Sequence, residues 1–155
     1  MRLVLLRHGQ ARSLVDGTDR DRPLTPRGHD QARRMGRHIA RVAGPLDRAL
    51  VSGARRTRET WAATGLAAET ELRGDLYLAS ETVLFAALPP EGTVILVGHN
   101  DGIGVLAAKL VDRDPDHPQF LRYPPCACLT VEWDGPPTWR TGRVIDYAVP
   151  ADLPD

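Results

Sequence analysis

Short apolar segments alternate with helical segments along most of this chain, and this alternation constrains the fold more than any other feature. Residues 2–6, 48–52 and 93–97 are apolar runs rich in β-formers, which predicts buried strands, and a weaker strand is predicted over 69–72. Strands separated by helices indicate a largely parallel sheet covered on both faces. We therefore expect an α/β fold, a three-layer sandwich.

The segments between these strands carry helix signals. Thr25 can cap a helix that begins at Pro26 and stops before Gly44. Further helices are predicted over about 54–64, 80–88 and 102–111. Residues 7–23 and 112–125 are expected to form loops. Two strands predicted at 128–134 and 138–148 would add antiparallel strands to the sheet near the C-terminus.

Length and charge exclude several classes of protein. The 155 residues fit one domain spanning 1–155. Twenty basic and twenty acidic residues cancel, so neither nucleic acid nor an anionic membrane surface is an expected partner. There is no apolar run of the roughly 18 residues that cross a bilayer, and no signal peptide, so we expect a cytoplasmic protein. The chain gives no indication of oligomeric state.

Cofactors and metals are not expected. Cys126 and Cys128 lie two residues apart, which suits neither a disulfide nor a zinc site, and we interpret them as reduced and structural. His29, His38 and His117 lack the spacing of metal ligands and are expected at the surface. The predicted cofactor and metal content is therefore none.

Residues suited to phosphate chemistry follow three of the predicted strands. Arg7 and His8 follow the first, Ser52 and Arg56 follow the second, and His99 follows 93–97. In open sheets, ligands bind beyond the carboxyl ends of the strands, so these residues converge. Arginines indicate an anionic ligand, and a histidine that arginines keep neutral is a nucleophile. The pattern favours attack on phosphorus by a histidine.

Three segments resemble the signatures of the histidine phosphatase superfamily, also called phosphoglycerate-mutase-like. They are LLRHGQ at 5–10, LVSGARRTRET at 50–60 and VILVGHN at 94–100. The segment RPLTPRG at 22–28 and the short length are similar to the SixA-like phosphohistidine phosphatase branch. The resemblance covers residues 2–111, and the role of residues 112–155 is not indicated. Thr57 and Glu59 depart from the usual family pattern.

The resemblance implies a role for several residues. His8 would be the nucleophile that becomes phosphorylated, Arg7 and Arg56 would clamp the phosphoryl group, and His99 would be the second histidine that binds it. Substrate-binding contributions are expected from three further residues, Gly9, Arg22 and Asn100. The implied activity is that of a metal-independent phosphatase.

The proton donor for the leaving group is not identified by the pattern. Longer relatives carry a carboxylic acid in an insertion after the third strand, which is short here, and Asp75 and Glu81 are the candidate acids. An alkoxide leaving group needs a proton donor, whereas a nitrogen leaving group is more easily protonated from solvent. This difference favours phosphohistidine on a protein as the substrate. A phosphomonoesterase for a small metabolite, such as a nucleotide or sugar phosphate, is the alternative, and a non-catalytic phosphate-binding module is a third hypothesis.

Overall fold

A six-stranded sheet lies between two layers of helices in the computed structural model, which describes residues 1–14 and 16–155. Its strand order is β3-β2-β4-β1-β5-β6. The pairs β1–β4, β4–β2 and β2–β3 are parallel. β5 pairs antiparallel with β1 and with β6. This confirms the predicted α/β class with antiparallel strands near the C-terminus. The strands are β1 Arg2–Arg7, β2 Arg48–Ser52, β3 Glu69–Arg73, β4 Thr93–Gly98, β5 Cys128–Glu132 and β6 Arg143–Ala148.

Four α-helices connect or flank the strands. They are α1 Pro26–Ala43, α2 Arg55–Thr64, α3 Glu81–Ala86 and α4 Gly102–Leu110. The Thr25 hydroxyl accepts a hydrogen bond from the Gly28 amide at 3.0 Å, so the predicted cap of α1 is present. Short 3₁₀ turns span Asp19–Asp21, Gly74–Leu76 and Pro150–Asp152. Among the described residues, no helix is both long and apolar enough to cross a membrane.

Alternation along the strands builds one apolar core on each face of the sheet. Leu3 and Leu5 of β1 pack on the face that carries α3 and α4, whereas Val4 and Leu6 pack against α1. Strands buried on both faces read as continuous apolar runs, which explains why residues 2–6 could be recognised in the sequence. The sheet is thus the middle layer of a three-layer sandwich.

The C-terminal part departs from the prediction in two places. Residues 138–142 do not extend the last strand: the hydroxyl of Thr141 and the carbonyl of Thr138 both accept from the indole N–H of Trp133, which folds this segment into a turn. The predicted loop at 112–125 supplies a core residue, Tyr123. Its buried hydroxyl donates to the Leu5 carbonyl at 2.7 Å and accepts from the Leu129 amide at 3.1 Å, bridging β1 and β5.

Three histidines predicted at the surface are only partly exposed, and each faces a carboxylate. His38 Nε2 lies 2.7 Å from Asp146, and His117 Nε2 lies 2.9 Å from Asp152. His29 lies 3.8 Å from Glu59. Each contact joins residues that are far apart in the sequence. The local sequence around each histidine therefore could not indicate its carboxylate partner. The predicted loop at 7–23 includes Val15, which lies outside the described residues, and it also contains the first 3₁₀ turn.

Gly36 is expected to be essential for the packing of α1 on α2. A Cβ at this position would lie 2.1 Å from the carbonyl oxygen of Thr64. Although alanine favours a helix more than glycine does, Gly36→Ala is expected to lower the free energy of unfolding by about 1–3 kcal/mol, because the helices must separate. Urea unfolding measures this, with Arg37→Ala at the neighbouring exposed position as the control. Equal stability of Gly36→Ala and the unaltered protein would contradict the close approach.

Candidate active site

Strand register brings two histidines together at one edge of the sheet. β1 and β4 are parallel neighbours in which Arg7 lies opposite Gly98. The next residues, His8 and His99, therefore leave the sheet side by side, with ring centroids 5.4 Å apart. The convergence that the sequence predicted follows from this pairing.

His8 has one ring nitrogen tied to the backbone and one available. Its Nδ1 lies 2.7 Å from the carbonyl oxygen of Gly9. A carbonyl can only accept, so Nδ1 carries the proton and Nε2 has a free lone pair. Burial, and then the charges of Arg56 and Arg7, lower the pKa of His8 to about 4. Neutral imidazole with a free Nε2 is the nucleophilic form.

His99 is held from the neighbouring strand. Ser52, the last residue of β2, places its hydroxyl 2.8 Å from Nε2 of His99. The ring is 2% exposed, and burial is the main reason that its pKa falls to about 3. When Ser52 donates to Nε2, the proton of His99 resides on Nδ1 and can be donated to an anion.

Two arginines approach the same space, each with part of its guanidinium already engaged. Arg7 donates through Nη1 to the Tyr123 carbonyl at 2.9 Å. Arg56, in the first turn of α2 and 3% exposed, donates to the carbonyl and carboxylate oxygens of Asp19 at 2.7 and 3.0 Å. The engaged nitrogens fix the direction in which each guanidinium points.

Three buried nitrogens in this cluster lack a hydrogen-bond partner: Nε of Arg7, Nε of Arg56 and Nδ1 of His99. They are the complete set of such buried side-chain atoms in the described part of the chain. Unpaired buried donors are costly and uncommon in proteins. Three of them in one cluster of arginine and histidine indicate a site that binds an anion.

The three residues expected to contribute to substrate binding, Gly9, Arg22 and Asn100, each form hydrogen bonds with other protein groups. The Gly9 amide donates to the Thr60 hydroxyl at 3.0 Å, which connects the segment after β1 to α2. Asn100 accepts from the Gly104 amide at 3.1 Å and donates to the Arg122 carbonyl, so its side chain holds the start of α4. Arg22 donates to a carboxylate oxygen of Asp19 at 3.0 Å and lies near enough to lower the pKa of His8.

The two candidate acids are engaged with basic residues. Asp75 is exposed and bonds to Arg73 at 2.7 Å. Glu81 lies in the first turn of α3 and bonds to Lys109 at 3.3 Å. These pairings lower the pKa of both carboxyl groups, although for Glu81 its own backbone amide contributes most. Both groups therefore favour the ionised form.

Sequence reasoning missed two side chains at the site, Asp19 and Tyr77. The Tyr77 hydroxyl donates to Asp19, and its ring meets that of His99 edge-on with centroids 5.4 Å apart. Asp19 lies in the predicted loop at 7–23, and Tyr77 lies in the short segment that follows β3. A search of the insertion for any hydroxyl, rather than for carboxylic acids alone, could have found Tyr77.

The lowered histidine pKa values can be tested directly. His8 and His99 are expected to remain neutral as the pH falls through 6.5, the ordinary midpoint for histidine, and to gain protons only near pH 3–4. Nitrogen-detected NMR between pH 3 and 8 measures this, and loss of one signal in His8→Asn assigns it. Titration of both rings near pH 6.5 would contradict the burial and charge described above.

The chain is similar to several known proteins. Residues 3–78 match the family model described as histidine phosphatase superfamily (branch 1). An uncharacterized protein of Mycobacterium tuberculosis, Rv1276c, is 33% identical over 110 residues, which cover 68% of this chain and 69% of that protein. A structure from Nakamurella multipartitia, assigned as the phosphohistidine phosphatase SixA, has a TM-score of 0.78 and 29% identity over 95% of this chain and 94% of that one. A second structure assigned as the phosphohistidine phosphatase SixA, from Agrobacterium tumefaciens, has a TM-score of 0.79 and 27% identity over 96% of each chain.

Proposed function

Because the chain belongs to the SixA-like branch of the histidine phosphatase superfamily and is a phosphatase, we propose that it removes phosphate from phosphohistidine on a protein partner, through a phosphorylated His8 and without a metal ion. The observation that carries this proposal is the trio of unpaired buried nitrogens beside His8. A phosphoryl group has three peripheral oxygens, and the trio provides one donor for each.

The first step is attack by Nε2 of His8 on phosphorus. The P–N bond to the substrate ring breaks, and its electron pair returns to the leaving nitrogen. Water then attacks phosphorus, the P–N bond to His8 breaks, and phosphate leaves while the water proton passes to phosphate or solvent. Arg7, Arg56 and His99 stabilise the charge on the oxygens in both transition states.

Positive charge in this mechanism comes from side chains. Two guanidinium groups fill the place that a metal ion takes in other phosphoryl-transfer sites. Among residues 1–14 and 16–155, no group of three His, Cys, Asp or Glu side chains is arranged to hold a metal. We therefore expect turnover to persist in EDTA.

The short insertion supports a protein substrate. Between β3 and β4 the chain forms only a 3₁₀ turn and the six-residue helix α3. A large substrate can then approach His8. The cavity that begins at Asn100 and Asp101, about 550 Å³ in volume and extending to Leu121 and Arg140, offers additional contact surface.

The experiment is a comparison of substrates in EDTA. A phosphohistidine-bearing protein domain, p-nitrophenyl phosphate and a panel of nucleotide and sugar phosphates are incubated with the protein, and kcat/KM is measured for each. Phosphohistidine is expected to be preferred. A strong preference for one soluble ester, lost in Asp75→Asn or Glu81→Gln, would instead establish the small-metabolite phosphomonoesterase. Phosphate binding without turnover of any substrate would establish a non-catalytic module.

A further inference from the structure

Asp19 lies at the rim of the anion site and contacts three of its side chains. One carboxylate oxygen accepts from Arg22 at 3.0 Å, and the other accepts from Arg56 at 3.0 Å and from the Tyr77 hydroxyl. The Asp19 side chain is 37% exposed, whereas that of Arg56 is 3% exposed. A carboxylate in a site built for phosphate is unexpected, because it repels the anion that the arginines attract.

This carboxylate is an acceptor and not an acid. The hydrogen bond from Tyr77 and the arginine contacts hold the pKa of Asp19 far below its ordinary value, so Asp19 is ionised at neutral pH. An ionised carboxylate provides about four acceptor positions, and three are occupied by Arg22, Arg56 and Tyr77. One position remains for an N–H group of a ligand.

We propose that Asp19 determines the leaving-group specificity of this phosphatase, favouring phosphoryl groups bound to nitrogen by accepting a hydrogen bond from the N–H of the departing group. The inference rests on the proposed function and extends it to the other side of the phosphorus atom. His8 shows the same arrangement within the protein, since its Nδ1–H is held by the Gly9 carbonyl while Nε2 faces the phosphoryl site. A substrate imidazole requires a corresponding acceptor at its distal nitrogen.

The placement of Asp19 fits this role. In-line transfer puts the nucleophile and the leaving atom on opposite sides of phosphorus. His8 is anchored below the phosphoryl site, with its main chain bonded to Gly98 and Cys126, so the leaving group departs toward the exposed rim. The arginines there can only donate, and the ionised Asp19 carboxylate is a stronger acceptor than the neutral Tyr77 hydroxyl bonded to it.

The step balances without an external acid. Protonated phosphohistidine carries one proton on the distal nitrogen of its ring. When Nε2 of His8 forms its bond to phosphorus, the P–N bond of the substrate breaks and its electron pair neutralises the positive ring. The departing imidazole is neutral and keeps the proton that Asp19 has bound. A nitrophenolate leaving group is anionic, has no N–H, and is repelled by the carboxylate.

The test compares Asp19→Asn with the unaltered protein on three substrates. Two are linked through an imidazole nitrogen, a chemically phosphorylated histidine peptide and phosphoimidazole, and the third is p-nitrophenyl phosphate. Because Asp19 also orients Arg56, kcat/KM should fall for all three. For both nitrogen-linked substrates the fall should exceed that for p-nitrophenyl phosphate by roughly ten- to a hundredfold, the value of a hydrogen bond to a charged group. Asp21→Asn, two residues away and exposed, is the matched control.

Each outcome has a defined meaning. A parallel loss on all three substrates overturns the inference, since Asp19 would then act only by positioning Arg56. A selective loss on the peptide, with phosphoimidazole following p-nitrophenyl phosphate, also overturns it, because Asp19 would then contact the peptide and not the distal N–H of the departing ring. If the unaltered protein hydrolyses neither nitrogen-linked substrate, the proposed function fails and the inference fails with it. Urea unfolding of Asp19→Asn confirms that the compared proteins are folded.

Discussion

His8→Ala is expected to reduce kcat on p-nitrophenyl phosphate by about 10⁴-fold or more. Losing a nucleophile removes the covalent route altogether, and only binding and charge stabilisation remain. His99, the second imidazole at the site, is a poor replacement, because its Nε2 is engaged by Ser52 and the residue is almost fully buried.

Trapping of the phosphorylated protein provides an independent measurement. Brief mixing with a labelled substrate, followed by denaturation in base, should leave label on the unaltered protein and none on His8→Ala, because phosphohistidine survives base and is lost in acid. His117→Ala, whose ring pairs with Asp152 away from this cluster, serves as the matched control and should retain the label. Undiminished turnover by His8→Ala would show that the nucleophile lies elsewhere.

The fold could be predicted because the information is local. Residues 3–6 and 94–97 are buried on both faces of the sheet, so the apolar runs that contain them indicate strands. The order of the strands in the sheet cannot be obtained in that way, because it depends on which distant segments pair. The turn at 138–142 was likewise missed, since it depends on the indole of Trp133, several residues earlier in the chain.

In the candidate site, too, residues placed by local sequence could be predicted, whereas residues placed by long-range contacts could not. His8 and His99 directly follow β1 and β4, and parallel strands bring such positions to one edge. Arg7 ends β1, and Arg56 lies in the first turn of α2, which follows β2. Asp19 and Tyr77 lie in connecting segments whose path is set by long-range contacts, including their contact with each other across 58 residues. Composition and spacing cannot reveal an ion pair between Asp19 and Arg56.

The second large loss of activity is expected on substitution of Arg56, whose guanidinium is buried. Arg56→Ala is expected to lower kcat by about 10²–10³-fold, or about 3 kcal/mol in the barrier, because the proposed function makes its guanidinium a donor to the transition-state oxygens. It also removes one of the two arginines that offset the charge of the Asp19 carboxylate, so inorganic phosphate should inhibit the variant more weakly. Arg56→Lys should restore little of the lost kcat, because an ammonium group cannot bond to Asp19 and to a phosphoryl oxygen at once in the way the planar guanidinium can.

The neighbouring residue supplies the matched control for this prediction. Arg55 begins the same helix, is exposed, and pairs with Glu59 at 3.0 Å on the outer face of α2. Arg55→Ala removes the same charge from the same turn, so its kcat and its phosphate inhibition constant should stay within about twofold of the unaltered values, as for an exposed ion pair. Equal losses in the two variants would mean that general positive charge near the N-terminus of α2 matters, and the directed donor of Arg56 does not.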